Sequence, residues 1–481
     1  MSCKWLAEWA LAKLAESVAE SVRSHSRLRG PPAIEEQSFR ALAGRCGPRI
    51  IIPSAFPLRG NLLSQGRVYA IATMDTKGEE IDFVADCLRS AGVDVVTVDV
   101  GTLQPPSTVP DVPREQVLAV DGNLVPGRQS PSDDQPGDRP APVGGSDRGQ
   151  AISAMAEALA RFLSREFSAE RVSGVLGIGG SGGTALITQA MRALPIGLPK
   201  LMVSTVASGN TAPYVDCTDL TMMFSVVDVA GINTVSERVL SNAAHALAGM
   251  VTHSTARRRS RPALGMTMFG VTTPCVTEVR RQLDAEGFDC LVFHATGTGG
   301  RAMEKLVESG LIGGVLDITT TEVADQVVGG VFPAGPDRFD RLIERQIPLV
   351  VSLGAVDMVN FGSRDTVPSQ FRDRTLHVHN AQVTLMRTTA DENRQIARWI
   401  AGKLNRSTAP VTVLVPEGGV STLDAPGEPF YDPQADRALF DELESCLVSG
   451  DDRRLVRLPQ HINDPAFATA LADEFLRLHS S

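Results

Sequence analysis

The sequence predicts an α/β protein made of two doubly wound parallel-sheet domains, preceded by a helical extension over residues 1–65. Two observations lead to this fold class. Short apolar runs typical of buried strands alternate with longer runs that have apolar residues at helical spacing. The alternation begins near residue 66 and begins again after residue 262, with polar or glycine-rich turns at the strand ends. We therefore assign a first domain to 66–255 and a second to 262–481.

Three segments differ from this pattern. Residues 3–22 have apolar positions at helical spacing with glutamates between them, which predicts a packing helix in the extension. The extension lacks the long apolar core of a signal peptide, and its acidic residues count against a transit peptide. Residues 126–149 are rich in Pro, Gly, Ser and Asp, which predicts a flexible insert. The basic stretch 256–262 is interpreted as the hinge between the domains.

The elements of the first domain follow in order from the same two patterns. The near-continuous apolar character of its second strand is typical of a parallel sheet that is covered on both faces. A polar turn is predicted at 75–80. Strands are predicted at 67–74, 93–101, 174–178 and 200–207, and helices at 81–92, 150–167, 184–194 and 234–253.

The second domain repeats the first. An offset of 195 places Ala70 on Gly265 and Gly92 on Gly287, so that strand, helix and turn coincide at low identity. Strands are predicted at 263–270, 288–297, 313–318, 348–355, 377–388 and 409–419, and helices at 272–287, 391–405 and 436–447.

Composition excludes several classes of function. The net charge of −10 argues against a nucleic-acid surface, because affinity for phosphate backbones comes mainly from Lys and Arg. The seven cysteines are scattered without a CxxC pair, so neither a disulfide framework nor a zinc site is indicated. No apolar run reaches the roughly 20 residues of a membrane helix. We expect a cytoplasmic protein with no membrane or nucleic-acid partner.

The segment GGSGGT (179–184) is the main candidate for ligand binding. A buried strand leads into it and a helix leads out, so that backbone amides at the helix start are unpaired and lie at the positive end of the helix dipole. Glycines allow an anion to approach these amides, and two hydroxyls add donors. We interpret it as a phosphate-binding loop; the alternative is a tight packing turn. The candidate residues are Gly180, Ser181, Gly182, Gly183 and Thr184.

The segment HATGTGG (294–300) repeats this arrangement in the second domain. Its glycines again lie between a buried strand and a helix that starts near Arg301. His294 is either a structural histidine or a ligand contact, since imidazole titrates near neutrality. The candidates in this loop are His294, Thr296, Gly297, Thr298 and Gly299.

The polar segment MDTKGEE (74–80) follows the first strand. We interpret Lys77 as a positive charge that binds a phosphate. Asp75 then either orients the Lys77 side chain or holds Mg²⁺. The alternative is that Asp75 or Thr76 caps a helix, which accounts for these polar residues without a ligand. The HxH pair His377 and His379 has no obvious third ligand, and we expect no metal site there.

Several of these motifs together resemble a known family. ATMDTKGEE, GIGGSGGTALIT, VFHATGTGGRAME, LDITTTEVAD and GVSTLDAPGEPF are similar to the tomato mosaic virus resistance protein family, a Tm-one-like ATP-binding domain family whose bacterial members are mostly uncharacterised. The resemblance runs from about Val68 to about Phe467. It implies two Rossmann-like domains, ATP binding, with or without Mg²⁺, and a homodimer. The plant member restrains viral replication through protein contact and has a further C-terminal domain, so we do not expect that action here.

Two functions follow as hypotheses. The first is an ATP-binding protein whose glycine-rich loops hold the phosphates at an interdomain cleft, with catalysis on an unknown small molecule as an open question. The alternative is a non-catalytic regulatory or scaffold protein in which ATP stabilises a dimer that meets a protein partner. A dinucleotide-dependent dehydrogenase is less favoured, because no GxGxxG is followed by an acidic residue about 20 positions later.

Overall fold

The computed structural model describes residues 66–119, 148–253, 261–450 and 452–480. The helical extension expected over 1–65 lies outside these residues. The insert expected at 126–149 lies outside them up to residue 147, and the expected hinge lies outside them up to residue 260.

The described residues form two parallel sheets and one small antiparallel sheet. The strands are β1 (Arg67–Ala72), β2 (Val95–Asp99), β3 (Val172–Gly179), β4 (Lys200–Ser204), β5 (Thr221–Phe224), β6 (Ala263–Met268), β7 (Asp289–His294), β8 (Gly314–Thr319), β9 (Leu349–Gly354), β10 (Met358–Phe361), β11 (Leu376–Asn380), β12 (Val383–Arg387), β13 (Val411–Pro416) and β14 (Arg453–Leu458).

Thirteen α-helices lie within the described ranges. They are α1 (Met74–Ser90), α2 (Arg114–Leu118), α3 (Arg148–Ser168), α4 (Ser181–Ala193), α5 (Ala212–Val215), α6 (Thr234–Thr252), α7 (Thr273–Ala285), α8 (Thr298–Glu308), α9 (Thr321–Val328), α10 (Asp340–Glu344), α11 (Ala390–Leu404), α12 (Pro433–Cys446) and α13 (Pro465–His479). None of them has both the length and the apolar stretch that a membrane crossing requires.

The first sheet has the strand order β2-β1-β3-β4-β5, and every neighbouring pair is parallel. Its strands are apolar because both faces are covered. Val68, Ala70 and Ala72 of β1 pack with α1 and α6 on one face. Tyr69 and Ile71 point to the other face and pack with α3 and α4. This alternation along one strand produces two cores, one on each side of the sheet.

The second sheet has the order β7-β6-β8-β9-β13-β14, also entirely parallel. Leu316 and Ile318 of β8 pack with α7 and α13 on one face. Val315 faces the opposite core, which α8, α11 and α12 complete. The first five strands therefore repeat the order of the first sheet, and the predicted α/β fold with two doubly wound parallel sheets is confirmed.

Several elements differ from the sequence prediction. The polar turn expected at 75–80 is instead part of α1, where Asp75 lies in the first turn and favours the helix dipole. The single strand expected at 377–388 is the hairpin β11–β12, because the Asn380 side chain accepts a hydrogen bond from the Gln382 amide and closes a turn. The short strands β5, β10 and β14 were not predicted. β5 is a half-exposed edge strand of only four residues.

Candidate functional site

The strand order of the first sheet reverses direction between β1 and β3. From β1 the chain passes through α1 to β2 on one side, and from β3 it passes through α4 to β4 on the other. α1 packs with α6 on one face, whereas α4 packs with α3 on the opposite face. The two connections therefore diverge and leave a crevice beyond the carboxyl ends of β1 and β3. Open α/β sheets bind their ligands at such a switch point.

The GGSGGT loop lies at this crevice. Gly180 is the N-cap of α4, and no side chain caps the helix. The amide of Thr184 donates to the Gly180 carbonyl at 2.8 Å, but the amides of Ser181, Gly182 and Gly183 have no hydrogen-bond partner in the described part of the chain. Ser181 is exposed and the three glycines from 180 to 183 are partly exposed. The loop therefore presents three free amides at the positive end of a 13-residue helix.

The glycines of this loop fall into two groups. A Cβ at Gly177 or Gly179 would come within 2.6 or 2.7 Å of neighbouring atoms, so these two positions need glycine for packing. A Cβ at Gly180, Gly182 or Gly183 would find its nearest atom at 3.8, 3.5 or 3.9 Å, which is ordinary contact. The fold itself therefore does not require glycine at these three positions. Their lack of side chains leaves room above the free amides.

Thr184, the last predicted residue of the loop, has a structural contact. Its side chain is fully buried, and its hydroxyl lies 2.6 Å from the Ser204 hydroxyl at the end of β4. The same hydroxyl donates to the Gly179 carbonyl at 3.3 Å. These bonds fix the start of α4 against β3 and β4.

The residues that follow β1 lie on the other side of the same crevice. Asp75 accepts hydrogen bonds from the amides of Leu103 and Gln104 at 3.3 Å each, and the exposed Thr76 donates to a carbonyl one turn back. Lys77 has non-helical backbone angles (φ −137°, ψ 28°) inside α1. Its ammonium donates to the carbonyl of Val229, a neutral partner. The structure thus places Asp75, Thr76 and Lys77 just after β1, and β1 neighbours β3, the strand that leads into the glycine loop.

Sequence reasoning missed Asp99, which ends β2 at the same sheet edge. Its Oδ1 atom accepts hydrogen bonds from the amides of Met74 at 3.0 Å and Gly101 at 2.7 Å. Its Oδ2 atom is buried and has no partner among the described residues. Burial raises the pKa of this carboxyl group above its usual range. A polar residue at the end of an apolar strand was the available signal.

The HATGTGG loop has a different environment. It follows β7, the edge strand of the second sheet, and leads into α8. The amides of Gly297 and Gly300 both donate to Glu322 Oε1, at 2.7 and 3.1 Å. Glu322 is buried and belongs to the DITTTE segment after β8. A carboxylate of the chain itself therefore occupies the position at which we expected a phosphate.

The glycines of HATGTGG are required by packing. Gly297 has φ +79°, and a Cβ there would also lie 2.9 Å from the Pro333 carbonyl oxygen. A Cβ at Gly299 would overlap the carbonyl group of His294, and one at Gly300 would overlap the Glu322 carboxylate. His294 itself is exposed and stacks on Phe269 with ring centroids 5.3 Å apart.

Comparison with known proteins places the chain in a family. A model of the N-terminal domain of the uncharacterised protein family UPF0261 matches residues 66–256, and a model of its C-terminal domain matches residues 261–479. The chain belongs to the UPF0261 family.

Relatives of this UPF0261 chain come from bacteria and from a plant. A UPF0261 protein of Rhizobium meliloti is 53% identical over 404 residues, which cover 84% of this chain and 97% of that protein. A UPF0261 protein of Clostridium tetani is 44% identical over 413 residues, covering 86% and 98%. The ToMV resistance protein Tm-1 of Solanum lycopersicum is 47% identical over 430 residues, covering 86% of this chain and 56% of that protein. The predicted resemblance to the tomato resistance protein family is confirmed.

Glu322 belongs to a buried ionic group of this UPF0261 chain, which we call the Arg338 cluster: Arg338 with Glu304, Asp317 and Glu322. The guanidinium lies 2.7 Å from Glu304, 2.5 Å from Asp317 and 3.3 Å from Glu322, and it is 1% exposed. It also lies over the Phe339 ring at 4.7 Å. Burial raises the pKa of Glu304. The cluster joins β8, α8 and the first turn of α9, so Glu322 cannot leave the glycine amides without disturbing it.

A second buried group of the UPF0261 chain brings together four residues that are distant in sequence. We call it the Arg387 cluster: Arg387 with Asp357, Asp424 and Asp436. The Arg387 guanidinium lies 2.5 Å from Asp436 and 3.6 Å from Asp424. Burial raises the pKa of Asp357 to about 7 and that of Asp436 to about 8. Two of the three carboxyl groups, those of Asp357 and Asp436, are therefore harder to ionise than an exposed aspartate.

The UPF0261 chain also has a cavity of about 540 Å³. Its walls come from Arg192 at the end of α4, from residues 216–218 and, across the cavity, from α8 and residues 331–341. Thr296, Gly297 and Thr298 of the second loop line it, but none of residues 179–184 does. Arg192 lies eleven positions after Ser181 in α4, a rise of about 16 Å at 1.5 Å per residue.

The described residues include no group of three or more His, Cys, Asp or Glu that is arranged to hold a metal ion. Cys217, which lines the cavity, donates to the Thr298 carbonyl at 3.4 Å. Burial raises the pKa of its thiol to about 11, so it is not a thiolate nucleophile at neutral pH.

Proposed function

We propose that this chain binds ATP, with the phosphates on the loop from Gly180 to Gly183 at the carboxyl ends of β1 and β3. The observation that carries this is the set of three unpartnered amides, those of Ser181, Gly182 and Gly183, at the start of α4. Amides in this position bind phosphate oxygens directly, and the helix dipole favours negative charge there.

Two further features support a phosphate at this place. The three glycines with room for a Cβ leave open the volume that a phosphate needs in order to reach the amides. Lys77, on the neighbouring strand connection, offers an ammonium whose partner is only a carbonyl oxygen, so that exchange for a phosphate oxygen would be favourable. Asp75 supplies a carboxylate for the Mg²⁺ that accompanies the nucleotide, and that ion would neutralise phosphate charge.

The second glycine loop is not part of the proposed site. Its amides already bind Glu322, and a phosphate would have to displace a carboxylate that Arg338 holds. The tomato relative is named for resistance to ToMV. We do not extend that role to this chain, because the alignment covers 56% of the tomato protein.

The test is a thermal-unfolding titration with MgATP. A ligand at 100 times its Kd adds about 2.7 kcal/mol to the free energy of unfolding. Gly182→Val should remove this gain, because its branched side chain stands over the free amides, while the fold has room for a Cβ there. Gly402→Val is the matched control, since a Cβ at Gly402 meets no atom within 4 Å and the position lies in α11. An unshifted wild type at millimolar MgATP, or an equal shift in Gly182→Val, would contradict the proposal.

A non-catalytic role for the nucleotide is favoured by one observation. The two carboxylates at this sheet edge, Asp75 and Asp99, both accept hydrogen bonds from backbone amides. These bonds engage Asp75 Oδ2 and Asp99 Oδ1 in the fold, so only one oxygen of each carboxylate is left to accept a proton from a substrate. We therefore propose a regulatory protein in which ATP stabilises a dimer as the second candidate.

Phosphate release above background with cell extract as the substrate source would favour an enzyme. An ATP-dependent rise in mass by light scattering, without phosphate release, would favour the regulatory role.

A further inference from the structure

The cavity at the end of α4 has the size of a small-molecule site. Its volume of about 540 Å³ lies within the roughly 300–1,000 Å³ range of ligand pockets. The two regions matched by the UPF0261 domains both contribute walls, residues 192–218 from the first and 296–341 from the second. A ligand in this cavity would therefore contact both halves of the chain.

Arg192 differs from the other cations that line the cavity. Its Nη1 atom donates to the carbonyls of Pro213 and Tyr214, at 2.8 and 3.1 Å, and these bonds hold the guanidinium in place. Throughout the described chain no carboxylate lies within ion-pair distance of it, and its Nε and Nη2 atoms have no hydrogen-bond partner. A held guanidinium with free N–H groups is suited to a planar or tetrahedral anion.

The other cations already have acidic partners. Arg301 lies 3.1 Å from Asp216, and Lys305 lies 2.8 Å from Glu308. The Arg301 pair is partly exposed, so it is weak and Arg301 can turn towards a second anion. Arg192 is therefore the primary anchor and Arg301 a secondary one.

The remaining walls indicate the rest of the ligand. Val331, which is 52% exposed, and Pro333 provide apolar contact area. The exposed Thr298 has a hydroxyl without a hydrogen-bond partner in the described residues, and it can bind a polar group of the ligand. The cavity thus combines one anion anchor, a short apolar wall and a hydroxyl.

We propose that this cavity is a second ligand site, separate from the ATP loop, and that it takes a small organic acid whose carboxylate or phosphate group binds Arg192. The ligand class follows from the free guanidinium, and the limit on its size follows from the cavity volume. This inference does not depend on ATP binding, because no residue of the glycine loop lines the cavity.

The experiment is isothermal titration of the full chain with succinate and with sn-glycerol 3-phosphate, using neutral glycerol as the control ligand. Saturable binding of either anion without binding of glycerol supports the site, and which anion binds distinguishes a carboxylate from a phosphate ligand. Arg192→Gln should weaken that binding about 10- to 100-fold, as expected for hydrogen bonds to a charged group, and Arg192→Lys should retain part of it.

Two matched variants make the result decisive. Arg437→Gln, which changes an exposed arginine of α12 that does not line the cavity, should bind as the wild type does. Gly182→Val should lose MgATP binding but keep the anion, so a failure of one site is distinguishable from a failure of the other. If neither anion binds at 10 mM, or if Arg192→Gln binds as tightly as Arg437→Gln, the proposal is overturned.

Discussion

The two glycine loops, alike in sequence, should respond in opposite ways to the same substitution. We compare Gly299→Ala in HATGTGG with Gly182→Ala in GGSGGT. Both positions lie in the first turn of a helix, α8 and α4 respectively. The substitution adds one methyl group in each case, so a difference in stability reports what surrounds that methyl group.

The structure gives the size of the difference. A Cβ at Gly299 would lie 2.7 Å from the carbonyl carbon of His294 and 3.2 Å from its nitrogen. These are backbone atoms, which no rotamer change can move, so we expect a cost of about 3 kcal/mol, at the upper end of overpacking costs. A Cβ at Gly182 meets only Ile152 Cδ1 at 3.5 Å. Glycine-to-alanine changes at compatible positions stabilise by about 0.4–1 kcal/mol through the unfolded state.

The assay is equilibrium urea unfolding of both variants and the wild type without nucleotide, followed by far-ultraviolet circular dichroism. At equal slopes, the shift in midpoint converts directly to a free energy of unfolding. The expected order of stability is Gly182→Ala, then the wild type, then Gly299→Ala, with about 3–4 kcal/mol between the extremes. If Gly299→Ala is as stable as the wild type, the packing argument for the second loop is refuted. If Gly182→Ala is less stable than the wild type by 1 kcal/mol or more, the first loop is also a packing turn.

Three further predictions concern the rest of the fold. Arg338→Ala should lower the free energy of unfolding in urea by about 3–5 kcal/mol, because it leaves buried carboxylates without their cation. Gly402→Ala, in the interior of α11 with no atom near its Cβ, should raise the thermal stability by about 0.5–1 kcal/mol. Burial raises the pKa of Asp357 to about 7 and that of Asp436 to about 8, above the values of the unfolded chain. Because the folded protein holds these protons more tightly, the two groups contribute to the free energy of unfolding at low pH, and this contribution is lost as pH rises through 7 and 8. Urea midpoints measured from pH 6 to 9 should therefore decrease, and Asp436→Asn should flatten that decrease.

Much of the fold could be predicted because its signal is local. A strand covered on both faces is mostly apolar, and β3 and β13, which are buried at every position, show this in the sequence with only Ser173 and Thr412 as polar residues. Short edge elements such as β5 carry a weaker signal, since a strand of four residues offers too few positions to establish a pattern. The hairpin β11–β12 depends on one Asn380 side-chain bond, which the strand pattern did not reveal.

The candidate site was harder to predict, because the partner that distinguishes the two loops is distant in sequence. Glu322 lies 25 residues beyond Gly297, and the hydrogen bond that the Gly297 amide donates to it forms only once β7, β6 and β8 are neighbours. In the sequence, Glu322 is indistinguishable from an acidic residue in a first helical turn. Asp99 was missed for a similar reason, since only the folded sheet edge brings it to the amide of Met74.

The strand orders explain why the likeness of the two loops is misleading. In both sheets the switch point lies between the strands that come first and third along the chain. These are β1 and β3 in the first sheet and β6 and β8 in the second. GGSGGT follows β3, so its equivalent in the second half is the segment after β8, which has threonines and Glu322 and no glycine. HATGTGG follows β7, the second strand, whose equivalent is β2. One half therefore has solvent-accessible amides at its switch point, whereas the equivalent residues of the other half, Thr320, Thr321 and Glu322, are buried. We expect one ATP per chain in equilibrium dialysis, and two bound nucleotides would show that this topological reasoning is wrong.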